Sequence, residues 1–277
     1  MTCHRRHSGP PATRAPARLV VFDFDGTLSW LRHGWPRIMT AVLRARLPAQ
    51  AGEDEAAVSA LLAGIVLGLN GHPTIVQMTR FAALVRERGG PALEPEALRA
   101  EYQARLDTEI AARVAGIRAG RAAADDFVVC GARPLLERLA ASGAVLAVLS
   151  STVEERVREE AGVLGLTGYF AGRIHGCVGD PTTFTKRAVF ARLLAETGCS
   201  GGELLSFGDG PVEIAETRLL GGTAIAVCSD EDDNGCGVCD PFKREQLLRA
   251  GAHEAIPDFR DADAALLRLG VAVAARA

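Results

Sequence analysis

"LVVFDFDGTLSW", residues 19–30, decides how this chain is read. Four apolar residues, Leu19 to Phe22, have the look of a short buried strand, and they run into two carboxylates, Asp23 and Asp25, followed by Gly26-Thr27. Like charges one residue apart repel, so the pair calls for a use or a neutralising partner. Residues i and i+2 of an extended segment face the same way, so both carboxylates can address one site.

Around that stretch lie 277 residues, enough to bury a sizeable core as one large or two modest domains. Hydrophobic residues at 48% and charged residues at 23% are the balance of a soluble globular protein. A net charge of -3 supplies no basic field, so nucleic acid is not a favoured partner. No apolar run approaches the roughly 18 to 20 residues that span a bilayer, which argues against a membrane partner. Residues 1–18, "MTCHRRHSGPPATRAPAR", have neither an acidic residue nor an apolar stretch. They read as a disordered tail rather than a secretory signal, with a transit peptide as the compositional alternative. Seven cysteines, an odd number without an export signal, point to reduced thiols and a cytoplasmic location.

Beyond Thr27 the pattern turns helical as far as about Gly120. Leu61, Leu62, Ile65, Val66 and Leu69 keep helical spacing, as do Ile75, Met78, Phe81, Ala82 and Val85, with Gly89-Gly90-Pro91 closing that second run. A longer helix is predicted over 95–118, with Leu98, Tyr102, Leu106 and Ile110 on one stripe. From Phe127 onward, short apolar runs at 144–150, 202–207 and 223–229 alternate with helical segments. Buried strands alternating with helices predict an α/β fold, a parallel sheet covered on both faces. The opening stretch is its first strand. The domain organisation that follows is an α/β core of residues 19–29 and 125–277, interrupted by a helical insertion over 30–124.

In open α/β sheets ligands bind outside the carboxyl ends of the strands. There the sequence puts Asp23 and Asp25, then Ser150 with Ser151 beside it, then Asp209 and Glu213 in "FGDGPVEI", while Lys186 opens an intervening helix. Each has an ordinary reading. Asp25-Gly26 is a common turn pair; Thr152 with Glu155 fits a capping box; Lys186 could be a solvated helix lysine. Asp209 could cap the helix that Pro211 opens, with Glu213 complementing its dipole. Taken singly, these readings leave unexplained why such residues collect after successive strands.

One chemistry uses them together. A carboxylate attacking a phosphomonoester needs a divalent metal and a cation to offset the repulsion between anions. A second carboxyl handles the leaving-group proton, and a hydroxyl and an ammonium hold the phosphoryl oxygens. Mg²⁺ suits such a site, because it takes a few carboxylates, waters and phosphate oxygens.

The four motifs, "LVVFDFDGT", "AVLS", Lys186 in "FTKRAVF" and "LLSFGDGPVE", resemble those of the haloacid dehalogenase-like (HAD) hydrolase superfamily. The arrangement is similar to subfamily I, whose helical cap follows the first motif. The resemblance implies a Rossmann-like core, Mg²⁺ as cofactor, Asp23 as nucleophile and Asp25 as general acid/base. By it Ser150 or its neighbour Ser151, together with Lys186, binds phosphate. Asp23, the Asp25 carbonyl, Asp209 and Glu213 hold the metal, although the family often has Asp where Glu213 stands. By the same resemblance, retention of Asp25 argues against a dehalogenase or a phosphonoacetaldehyde hydrolase and fits a phosphatase or a sugar phosphomutase. Because nothing in the insertion marks a mutase, a phosphatase acting on a small phosphorylated metabolite is favoured, with the mutase or a catalytically silent binding protein on the same fold as alternatives.

Substrate selection is expected from the insertion, whose first segment carries Trp30, Arg32, His33 and Trp35. Arg32 is close enough to Asp25 in sequence to meet an anionic part of the substrate. "GHPT", 71–74, is a second candidate, reading first as a helix start. Cys228, Cys236 and Cys239, with His253 downstream, lack the spacing of a complete zinc site. They read as part of a mobile acidic loop beside the site entrance, with a zinc or redox role as the alternative.

Overall fold

The computed structural model describes residues 15–69, 73–179 and 183–273. Six parallel strands form one sheet: β1 (Leu19–Phe22), β2 (Val145–Val153), β3 (Ile174–Cys177), β4 (Leu204–Gly208), β5 (Thr223–Val227) and β6 (Glu254–Ile256). Their order is β3-β2-β1-β4-β5-β6. From β1 the chain builds outward to one edge and then returns to build the other. β1 therefore lies at the switch point, where a crevice opens at the carboxyl ends of the strands.

β1 and β5 are near-continuous apolar runs and, like β4, are buried at every residue, as strands covered on both faces must be. Alternation within β1 divides its side chains between two packed layers. Val20 and Phe22 join one core, and Leu19 and Val21 the other. Phe22 stacks on Phe207 of β4 with centroids 5.2 Å apart, and Phe259 closes against both. These rings sit directly beneath Asp23 and fix the end of β1, each aromatic pair contributing about 1 kcal/mol beyond its buried area.

Helices α1 (Trp35–Arg44), α2 (Glu55–Val66), α3 (Thr74–Glu87) and α4 (Pro95–Arg118) occupy the chain between β1 and β2. They have their own apolar core, in which Leu98, Tyr102, Leu106 and Ile110 of α4 meet Met39, Val42, Leu62, Met78 and Phe81. The α4 stripe is the one the sequence predicts. Pro95 at the first turn and Gly120, with φ 67, just beyond the end set its limits. The helices α5 (Ala132–Ser142), α6 (Glu154–Val163), α7 (Lys186–Thr197), α8 (Pro211–Leu219), α9 (Pro241–Arg249) and α10 (Ala262–Leu269) cover the sheet. Among the described residues, no helix is long and apolar enough to cross a membrane.

Several expectations shift. Residues 1–14 of the expected tail lie outside the described residues, but Ala17 and Arg18 already belong to the fold. Ala17 donates its amide to the Ala272 carbonyl and Arg18 to that of Glu203. β3 and β6 are additional strands, and β2 continues past Ser150 to Val153. The Thr152–Glu155 capping box does not form, because α6 starts at Glu154 after an N-cap, Val153, that makes no side-chain cap bond.

The loop carrying Cys236 and Cys239, expected to be mobile, is fastened. Asn234 accepts from the Cys130 amide and donates to the Val128 carbonyl, and Arg260 donates to Gly235 O. His253 is occupied at the sheet, where its Nδ1 accepts from the Ala224 amide.

Candidate active site

At the end of β1, Asp23 is held in line by its amide, which donates to Phe207 O of β4 at 2.9 Å. Lys186, the first residue of α7, donates to Asp23 Oδ1 and to Glu213 Oε2, both at 2.8 Å. α7 begins where it does because Thr185 caps it, accepting from the Ala188 amide. Glu213, in the first turn of α8, also accepts from Gly210 N at 2.5 Å through its other oxygen. The longer side chain at this position thus spans from its own helix start to the lysine.

Asp209 follows β4 and accepts from Thr27 Oγ1 at 3.3 Å. Gly26, with φ +75, turns the chain directly over it, and a Cβ there would overlap Asp209 Oδ2. Glycine meets both requirements, the left-handed backbone and the close approach. On the far side of Asp209 is Lys243 of α9, whose Nζ is 3.5 Å from Oδ2, 2.7 Å from Glu231 Oε1 and 3.0 Å from Ser229 O. Ser229 returns a hydroxyl to the Gly26 carbonyl. No sequence motif marks Lys243, and no local signal could have, since its partners lie in other segments of the chain.

Asp23, Asp209 and Glu213 bring one oxygen each to within 4.8 Å of one another. The cluster does not include the Asp25 carboxylate, which points elsewhere. Burial pushes Asp23 well above the usual carboxylate range, against the pull of Lys186 and with help from Glu213 and Asp209. Burial likewise raises Asp209 to about 6, opposed by Lys243. Burial alone would lower the Lys186 ammonium, but the charges of Asp23 and Glu213 outweigh it and hold it above its ordinary value. Among the described residues, the salt-bridge partners of Asp23, Asp209, Glu213 and Glu231 are Lys186 and Lys243, four carboxyl groups to two ammonium groups. An all-oxygen donor set with that excess of carboxyl groups fits a hard divalent cation such as Mg²⁺.

Asp25 turns toward α6 and the insertion. Its Oδ1 accepts from Arg32 Nε at 2.5 Å, and its Oδ2 from Thr152 Oγ1 at 2.7 Å and Ser150 Oγ at 3.3 Å. Arg32 gives a second edge to Glu160 Oε1 at 2.7 Å, while Glu160 Oε2 is buried with no hydrogen-bond partner. Burial raises Glu160 to about 7 against the influence of Arg32. Thr152 and Glu160 are thus site residues that sequence reasoning did not assign. Thr152 was hidden by its plausibility as a helix cap, and Glu160 by a charged helical run.

All eight residues named from the sequence, Asp23, Asp25, Arg32, Ser150, Ser151, Lys186, Asp209 and Glu213, line one cavity of about 220 Å³. Its other wall comes from α1, α3 and α4 of the insertion, through residues such as Met39, Gln77 and Tyr102. Thr74 of the "GHPT" segment also lines it, whereas Gly71 and His72 lie outside the described residues. The cysteines contribute nothing to the cavity lining, and no metal-ligating cluster among the described residues includes them.

The parallel sheet and the polar residues at its strand ends define a class of α/β proteins with a site at the switch point, and a family model makes it specific. Residues 17–218 match the haloacid dehalogenase-like hydrolase family, and the chain belongs to it. No curated protein sequence gives a significant match. Solved structures share the fold at low identity. One is a haloacid dehalogenase-like protein of unknown function from Agrobacterium tumefaciens (TM-score 0.65, 19% identity, covering 91% of this chain and 99% of that one). A HAD family hydrolase from Deinococcus radiodurans, with bound phosphate and sodium, gives a TM-score of 0.60 at 18% identity, covering 94% and 100%. A predicted phosphoglycolate phosphatase from Haemophilus somnus gives 0.57 at 16%, covering 91% and 97%.

Proposed function

We propose that this chain is a phosphomonoesterase that hydrolyses a small phosphorylated metabolite through a phosphoryl group carried on Asp23, with Mg²⁺ as cofactor and residues 30–124 as a cap over the site. The observation that carries the reading is the meeting of Asp23, Lys186, Asp209 and Glu213 at the floor of a cavity whose wall also presents Asp25. A phosphate-binding relative of the same fold is consistent with it.

In this reading Asp23 attacks phosphorus and the ester oxygen departs, taking a proton from Asp25. Water then attacks the acyl phosphate and gives Asp25 its proton back, releasing phosphate and free Asp23. Lys186 offsets charge on the phosphoryl oxygens, and Ser150, with Ser151 beside it, offers hydroxyls to them. Asp23, Asp209 and Glu213, with the Asp25 carbonyl, would hold the Mg²⁺, which when bound would supply the remaining charge neutralisation. Thr152 orients Asp25, and the cap helices exclude bulk water while the acyl phosphate exists. Asp25 serves hydrolysis and phosphoryl transfer alike; hydrolysis is the reading favoured by a cavity without a recognisable second phosphate cradle among the described residues.

The test is phosphate release from a panel of phosphomonoesters, with Mg²⁺ or chelator, for the wild type and Asp23→Asn. The reading requires turnover that needs both the metal and Asp23, the substitution costing about 10³-fold or more. Turnover indifferent to Asp23, or product that is an isomeric phosphate ester without free phosphate, would contradict it.

A further inference from the structure

Arg32 is the cation that sequence reasoning offers for a second anionic group on the substrate, and the structure shows it already engaged. Its Nε is 2.5 Å from Asp25 Oδ1 and its NH2 is 2.7 Å from Glu160 Oε1, with the side chain only 11% exposed. Burial opposes its charge, but Asp25 and Glu160 together hold the guanidinium above its ordinary value, as expected of a cation whose partners satisfy it. The other cation lining the cavity among the described residues is Lys186, held by Asp23 and Glu213 on the phosphoryl side.

What remains of the wall is largely aromatic and apolar, Trp30, His33, Trp35, Met39, Tyr102 and Leu106, with the uncharged polar side chains of Ser29, Thr74 and Gln103 among them; Gln103 donates its amide to Asp107. His33 stacks on Trp30 at 3.9 Å, and its Nδ1 pairs with the Trp30 carbonyl. Burial, and then the nearby Arg113, lower the imidazole below its ordinary value, so it is neutral near pH 7. Burial raises the Tyr102 phenol, so it too stays uncharged. Gln77 is tied by its amide nitrogen to Val66 O. Glu231, a further carboxyl group on the wall, is paired with Lys243. A carboxylate or second phosphate placed here would lose water without meeting a free cation, a large penalty. A ring would instead lie among aromatic faces.

We infer that the preferred substrate is the phosphate monoester of a neutral, ring-bearing alcohol, and that esters carrying a second anionic group are rejected. The inference rests on the phosphomonoesterase reading for its phosphate end, and it is tested by binding so that the two can fail separately.

Two isosteric, non-hydrolysable probes differ in one charge: 4-carbamoylbenzylphosphonate and 4-carboxybenzylphosphonate. Their affinities for the wild-type protein with Mg²⁺ are measured by calorimetry. The carbamoyl compound binds roughly tenfold or more tightly if the inference holds. Trp35→Leu, which keeps an apolar side chain at the start of α1, then weakens that compound several-fold and leaves inorganic phosphate binding unchanged. Equal affinities, a preference for the carboxylate, binding of neither probe, or indifference to Trp35→Leu would each overturn the inference. A clear preference for the carbamoyl probe, with no phosphate release from any ester, would instead refute the phosphomonoesterase reading and leave the cavity's selectivity standing.

Discussion

Lys243→Met separates the role of charge from that of packing in the support of Asp209. Lys243 is 5% exposed, and its Nζ serves Glu231 Oε1 at 2.7 Å, Ser229 O at 3.0 Å and Asp209 Oδ2 at 3.5 Å. Methionine fills most of the same volume, so the apolar contribution is nearly kept. What is lost is the counter-charge of two carboxylates in a buried setting, and breaking such a pair costs about 3 to 5 kcal/mol. Glu231 is 14% exposed and Asp209 10%. That partial access to water puts the expected loss near the lower end, at about 3 kcal/mol. For a chain of this size each kcal/mol lowers Tm by roughly 2 °C, so the variant should melt roughly 6 °C below wild type in metal-free buffer. Adding Glu231→Gln should restore part of the loss, because one of the stranded charges is gone. A Tm within about 2 °C of wild type, or a double variant with purely additive losses, would refute the argument that Lys243 balances these carboxylates.

Other consequences are as direct. Burial holds Glu160 at about 7 against an ordinary 4.5, so between those pH values the unfolded chain has lost a proton that the folded chain keeps. Its stabilising contribution is therefore complete below about pH 4.5 and is lost as pH rises through 7, about 3 kcal/mol in all. Glu160→Gln should remove that part of the pH dependence in urea titrations, and an unchanged slope would disprove the assignment. Thr152→Val keeps the shape but deletes the 2.7 Å bond to Asp25, so kcat/KM should fall by roughly tenfold with an altered pH profile. A wild-type profile would deny Thr152 its orienting role. Gly26→Ala forces a side chain into Asp209 from a left-handed backbone. It should cost at least about 1 to 2 kcal/mol in denaturant titrations, and unaltered stability would mean that the Gly26 turn relaxes freely.

The sequence made the centre of this molecule legible and its periphery less so. β1, β4 and α4 announce themselves because a doubly buried strand needs an unbroken apolar run and a long helix needs a stripe. β3 escaped notice because "IHGC" is four residues long, with a histidine and a glycine at its centre, and β6 because three residues carry no period. At the site, Asp23, Asp25, Lys186, Asp209 and Glu213 could be picked out by their place after strands or at a helix start. Thr152, Glu160 and Lys243 could not, because their roles depend on partners 127, 128 and 34 residues away along the chain. Arg32 shows a related limit: its proximity to Asp25 was readable, but its capture by Glu160 of α6 was not.

The central claim is that Asp23 carries a phosphoryl group. Wild-type protein with Mg²⁺ and a radiolabelled aryl phosphate, quenched in acid within the first turnover and digested, reports on it directly. The account predicts label on the peptide that contains Asp23, stable in acid, released by base or hydroxylamine and absent from Asp23→Asn. Rapid turnover with no labelled peptide at any quench time, or label on a different residue, would contradict it.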